Sequence, residues 1–79
     1  MIEELSRREL QVLGLIVRGH TNREISDELF LSINSVKTYI RTTYRKIGVT
    51  RRPQAILWGV RNGVPIVSDE DRERRRSDR

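Results

Sequence analysis

A chain of 79 residues with no cysteine and a single histidine holds at most one small domain, without disulfides or thiolate metal sites, and His20 by itself cannot build a metal centre. No run approaches the roughly 18 apolar residues of a membrane span, and the start MIEELSRREL lacks the apolar core of a signal peptide, so a cytoplasmic protein with no membrane partner is expected. The formal charge of +5 lies entirely in residues 1–67, and the stretch from Leu29 to Ser68 carries seven basic side chains and no acid, which points to a polyanion as partner.

LSRREL opens the first element. Ser6 can cap a helix whose Glu9 reaches back to it, a capping box, while Leu5 before the cap can pack on Leu10 as a hydrophobic staple. Leu10, Leu13, Ile16 and Val17 then recur at helical spacing until Gly19, which predicts a helix over residues 7–18. Thr21 and Glu24 form a second box almost at once, so the connection is very short. Ile25 and Leu29 supply the apolar i, i+4 pair of a short second helix, with the small Ser26 beside them. Phe30 and Leu31 make an apolar turn, and Ser32 can cap a third helix that Gly48 stops near Ile47.

At 100° per residue the third helix sets Val36, Ile40, Thr43, Tyr44 and Ile47 on one face, to be buried. The other face is polar and basic: Asn34, Ser35, Lys37, Thr38, Arg41, Thr42 and Arg45. Lys37, Arg41 and Arg45 stand in an i, i+4, i+8 row, and like charges at that spacing weaken an isolated helix by tenths of a kcal/mol. The row makes sense with an anion lying along it.

A fourth helix is expected after Thr50, with Pro53 in its first turn and its stop at Gly63. Ala55, Ile56, Gly59 and Val60 make its apolar face, while Leu57 and Trp58 project away and leave an apolar surplus. Residues 66–79 form a charge-dense tail expected to stay flexible, so the domain is expected to span residues 1–65.

Two capped helices joined by a tight turn, the second displaying a polar and basic face, have the layout of a helix-turn-helix reader of double-stranded DNA. Its second helix enters the major groove, and residues in the N-terminal half reach base edges. Lys37 and Arg41 can donate to guanine, Thr38 can touch a thymine methyl, and Asn34 stands in the same N-terminal half. The hydroxyls of Thr21, Ser32 and Ser35 at helix starts, with Arg45, Lys46, Arg51 and Arg52, suit phosphates.

The residues LSRREL-VL at 5–13, Gly19, T-N-R-E-I at 21–25, Leu29, Ser32, Val36-Lys37, Lys46-Ile47-Gly48-Val49, Arg52 and Gln54-Ala55 together resemble the DNA-binding domain of LuxR-type regulators, the family that includes the NarL/FixJ response regulators. The resemblance runs without a gap from Leu5 to Gly63. It implies an all-α fold, a four-helix LuxR-type helix-turn-helix domain with the third helix as recognition helix, and it places base contacts at Lys37, Thr38 and Arg41. It also implies a homodimer through the fourth helix, which would use Leu57 and Trp58, with Gln54 and Arg61 at the rim. Tyr39 stands where the family usually has His, Ser26 where it has Ala, Pro53 where it often has Thr, and Arg51 where a capping residue is frequent. The family usually joins this domain to a regulatory one; 79 residues leave no room for that, so the expected likeness is to stand-alone members, with an excised C-terminal domain as the alternative.

An enzyme is not expected: the sequence offers no nucleophile-base pair, no glycine-rich phosphate loop and no cofactor motif. An anionic membrane surface would need apolar residues opposite the basic face in excess of what a core consumes, and these are missing. The remaining alternative is a protein-interaction module of helix-turn-helix shape that binds RNA polymerase or another regulator.

Overall fold

Both capping boxes form. Ser6 N–H donates to Glu9 Oε1 at 2.8 Å while Glu9 N–H donates to Ser6 Oγ at 3.1 Å, and Thr21 and Glu24 repeat the exchange at 2.8 and 3.1 Å. Each box satisfies amide donors that the helix start would otherwise leave bare. The computed structural model, which describes residues 4–64, accordingly runs α1 (Arg7–Val17), α2 (Asn22–Leu29), α3 (Ile33–Ile47) and α4 (Arg52–Arg61). The charged tail expected at 66–79 lies outside the described residues.

α1 is the centre of the domain. It packs against α4 and α3 and, over a smaller area, α2. For that reason its burial is not a stripe: Val12, Leu13, Gly14, Leu15 and Ile16 are all buried in succession. A helix covered from three sides loses the period of a surface helix, so Val12 and Leu15 join the core beside Leu13 and Ile16, which the spacing had picked out. Ile25 of α2, Val36 and Thr43 of α3, and Ala55 of α4 close around it, with Leu5 and Val64 sealing the ends. Leu10 is half-buried against this cluster.

α4 meets α1 closely because Gly59 carries no side chain: a Cβ there would lie 2.5 Å from Val17 Cγ2. The buried face of α4 is Ala55 and Gly59, with Ile56 and Trp58 half-buried against the core. Val60, expected on that face, is instead 62% exposed, and Leu57 is 49% exposed. Trp58, expected to project outward, leans on the core. The close α1–α4 crossing explains the shift, because it turns the two smallest residues of α4 inward and rotates Val60 to solvent.

The turn between α2 and α3 also differs from expectation. Phe30, 94% exposed, caps α2 in the left-handed region, φ 57° and ψ 46°, whereas Leu31 is half-buried. Ser26 fixes this turn: its carbonyl accepts from the N–H groups of Phe30 and Leu31, and its hydroxyl donates to the Leu31 carbonyl. At the far end of α3, Gly48 takes φ 79° and its N–H returns to the Tyr44 carbonyl at 2.9 Å, the left-handed stop that favours glycine.

Candidate nucleic-acid interface

α3 starts at Ser32, whose Oγ accepts from Ser35 N–H at 3.0 Å and donates to Ser35 Oγ at 3.0 Å. The first turn of α3 contains no acid, so nothing on the helix cancels the partial positive charge of its N-terminus. With Val36 and Thr43 buried on one side, the opposite side presents Asn34, Lys37, Thr38, Arg41 and Arg45 as exposed residues. Thr38 Oγ1 donates to the Asn34 carbonyl at 3.0 Å, a bond inside the helix of an exposed residue. No described residue holds Lys37, Arg41 or Arg45 by a hydrogen bond or ion pair. Three cations are therefore fixed in a row by the helix alone.

Asn34, Ser35, Thr38 and Tyr39 line a shallow depression along this helix. Tyr39 was not among the contact candidates drawn from the sequence; its place four residues after Ser35 is the signal that sets it there. The acids Glu24, Asp27 and Glu28 gather instead around another depression, with His20. Glu24 is held below the ordinary carboxylate range chiefly by the Thr21 backbone N–H, against desolvation, with His20 and the Thr21 hydroxyl helping.

The flanking candidates divide into two sets. Thr21 is exposed at the cap of α2, and Arg51 is exposed at the N-cap of α4, where its side chain makes no capping bond. Gln54 does that work instead: its Oε1 accepts from Thr50 N–H at 2.9 Å and Arg51 N–H at 3.0 Å. Lys46 and Arg52, expected at phosphates, are held by the protein itself. Lys46 Nζ lies 2.9 Å from Glu9 Oε1 and 3.2 Å from the Glu4 carbonyl oxygen. Arg52 donates from one guanidinium nitrogen to Asn22 Oδ1 at 3.2 Å and from the other to the His20 carbonyl.

On α4, Leu57, Trp58, Gln54 and Arg61 do come together, around a third shallow depression completed by Val49 and Asn62. Leu57 and Arg61 are exposed there, Trp58 is only partly so, and Gln54 is engaged in the cap. Among the described residues no group of His, Asp or Glu side chains is placed to hold a metal ion, and no helix is long and apolar enough to cross a membrane.

Comparison with known proteins agrees with this geometry. The family model of the bacterial regulatory proteins, luxR family, matches residues 3–58. The transcriptional regulatory protein LiaR of Bacillus subtilis (strain 168) is 47% identical over 60 residues, which is 76% of this chain and 28% of LiaR. The HTH-type transcriptional regulator MalT of Yersinia pestis (strain Pestoides F) is 46% identical over 52 residues, 66% of this chain but 6% of MalT. Among solved structures, the response regulator ChrA of a heme-sensing two-component system superposes with a TM-score of 0.72 at 34% identity, over 77% of this chain and 30% of ChrA. The chain thus spans less than a third of each of these proteins. With four helices in the expected order and the family model covering most of them, the chain belongs to the luxR family of bacterial regulatory proteins and carries that family's DNA-binding helix-turn-helix.

Proposed function

We propose that the protein is a sequence-specific transcriptional regulator that reads double-stranded DNA through the major groove, as a homodimer on an inverted repeat. The observation that carries this reading is the exposed face of α3, where Asn34, Lys37, Thr38 and Arg41 stand together and no described residue engages the two cations. A helix face that concentrates unopposed positive charge is unfavourable for the folded protein alone, and a phosphate-lined groove removes the penalty. In this reading Lys37, Arg41, Thr38 and Asn34 face base edges. Thr21, Ser32, Ser35, Arg45 and Arg51 face phosphates and set the register.

A reader this small covers few base pairs, so two copies related by a two-fold axis multiply specificity. The apolar surface of α4, Leu57 and Val60 with the exposed edge of Trp58, supports a second copy as the occupant, with Arg61 at the rim. Selection of bound duplexes from a random pool at near-physiological salt tests the whole reading. An inverted repeat with half-sites about 10 bp apart, centre to centre, is the expected product. A lone half-site would remove the dimer and keep the reader. Binding without sequence preference would remove both, and place contact with RNA polymerase or another regulator first.

A further inference from the structure

Arg52 occupies an electrostatically poor position for the fold by itself. It is the first residue of α4, and its guanidinium reaches back to the start of α2, so one cation sits at two helix N-termini, where positive charge is disfavoured. Its acceptors, the His20 carbonyl and Asn22 Oδ1, are neutral, so hydrogen bonding leaves its charge intact. The two acceptors flank Thr21, the cap of α2. His20 is fixed on its other side as well, its N–H donating to the Leu15 carbonyl at 3.0 Å. The Arg52 charge also acts on Tyr44 of α3, whose phenol burial pushes up and Arg52 draws back down. One half-buried side chain thereby ties the start of α4 to the α1–α2 turn and stands close to α3.

We infer that Arg52 is a positioning residue for DNA binding: its two-pronged grip on His20 and Asn22 sets the start of α2, and with it Thr21, against the DNA backbone. The inference rests on the DNA-reading function proposed above. It differs from a direct phosphate contact in what the side chain must supply. A phosphate ligand needs a positive charge, which lysine also provides; the grip needs a planar fork that reaches two acceptors, which lysine lacks.

Arg52→Lys therefore decides the matter, measured on the operator recovered by selection, at a low temperature where circular dichroism shows every variant folded. The expected result is about a tenfold loss of affinity, the size of one lost charge-assisted hydrogen bond, with an unchanged slope of log K against log salt. Amide hydrogen exchange at Asn22 and Arg23 in the free variant should be faster than in the parent. Asn22→Ala, the milder change should Arg52→Lys fold poorly, is expected to weaken binding similarly and to add little when the two are combined. Parent-like affinity in Arg52→Lys would overturn the inference and return Arg52 to the phosphate contacts, as would fully additive losses in the double variant. Affinity lost only in step with the fraction unfolded would reduce the residue to a stabilising one. If the parent itself shows no sequence preference, the DNA reading falls and takes this inference with it, whereas tight parent binding indifferent to Arg52→Lys sinks the inference alone.

Discussion

Glu9 Oε1 lies 2.9 Å from Lys46 Nζ, joining the first turn of α1 to the last turn of α3 across 37 residues of sequence. The same oxygen accepts the Ser6 N–H at 2.8 Å, so one carboxylate closes a helix cap and a tertiary contact together. Burial pushes the Glu9 carboxyl up, but the Lys46 hydrogen bond and charge and the two Ser6 bonds outweigh it and hold the group below its ordinary value of 4.5. A carboxylate depressed in the folded state contributes stability above its unfolded pKa, and loses it as pH falls through the folded one. The parent should therefore lose stability as pH drops below about 4.5, the ordinary value, with exposed Glu24 acting in the same direction. Glu9→Gln should cost about 1–2 kcal/mol at neutral pH and flatten the acid limb, as read by urea denaturation at a series of pH values. An acid limb as steep in Glu9→Gln as in the parent would assign the loss to other groups.

The α1–α4 crossing leaves no room for a side chain at Gly59. Alanine would gain about 0.8–1 kcal/mol of helix propensity, but its Cβ would meet Val17 Cγ2 at 2.5 Å, and a β-branched valine has few rotamers in which to retreat. Overpacking of this kind costs about 1–3 kcal/mol, so Gly59→Ala should destabilise by about 1 kcal/mol net. Adding Val17→Ala should recover part of the loss, a non-additivity that a double-mutant cycle in denaturant measures. Greater stability for Gly59→Ala alone would mean that the helices stand further apart in solution.

How much of this was legible in the sequence follows from how local each signal is. The capping boxes at Ser6 and Thr21, the cap at Ser32 and the stop at Gly48 act within one turn, and the helix boundaries fall within a residue or two of expectation. The α3 faces were also readable, because a helix with one buried side keeps its period. What failed depended on other helices. Val60 and Trp58 exchanged places because the approach of α1 sets the roll of α4, and nothing in RPQAILWGVR alone reports that approach. The contacts of Lys46 with Glu9 and of Arg52 with the His20 carbonyl were not legible either, because they join residues 37 and 32 apart in sequence.

Phe30 departs from local expectation. A residue at φ 57° is usually glycine or asparagine, and an aromatic residue 94% exposed gains little from packing to offset the strain. Phe30→Asn should stabilise the free protein by about 0.5–1 kcal/mol, raising the melting temperature by a few degrees in calorimetry. A lower melting temperature would show that the ring is covered in solution.

Leu57 and Val60 test the second copy. Exposed apolar residues one helical turn apart on α4 leave a surface whose burial contributes about 25 cal/mol per Å². Replacing both with glutamate should shift sedimentation toward the monomer while leaving helix content unchanged, because neither residue belongs to the core. Trp58→Ala is a poorer test than the sequence suggested, since part of its ring packs on the core and its loss would also loosen the fold. Sedimentation unchanged in the double glutamate variant would exclude this face as the dimer surface.

Lys37 and Arg45 stand on one exposed face of α3 but eight residues apart, and the difference in position should appear as a difference in kind. In the proposed reading Lys37 lies in the half of α3 that enters the groove, so Lys37→Ala should cost about 1–3 kcal/mol on the selected operator, cost less on random DNA, and relax preference at one or two base pairs. Arg45 lies a full two turns later and is proposed to face the backbone, so Arg45→Ala should weaken both DNAs nearly equally and lower the salt slope by about one. Titrating both variants against both duplexes at several salt concentrations separates the cases. Equal losses from Lys37→Ala on the two DNAs would move it to the phosphate set and leave Arg41 and Thr38 as the residues that read sequence.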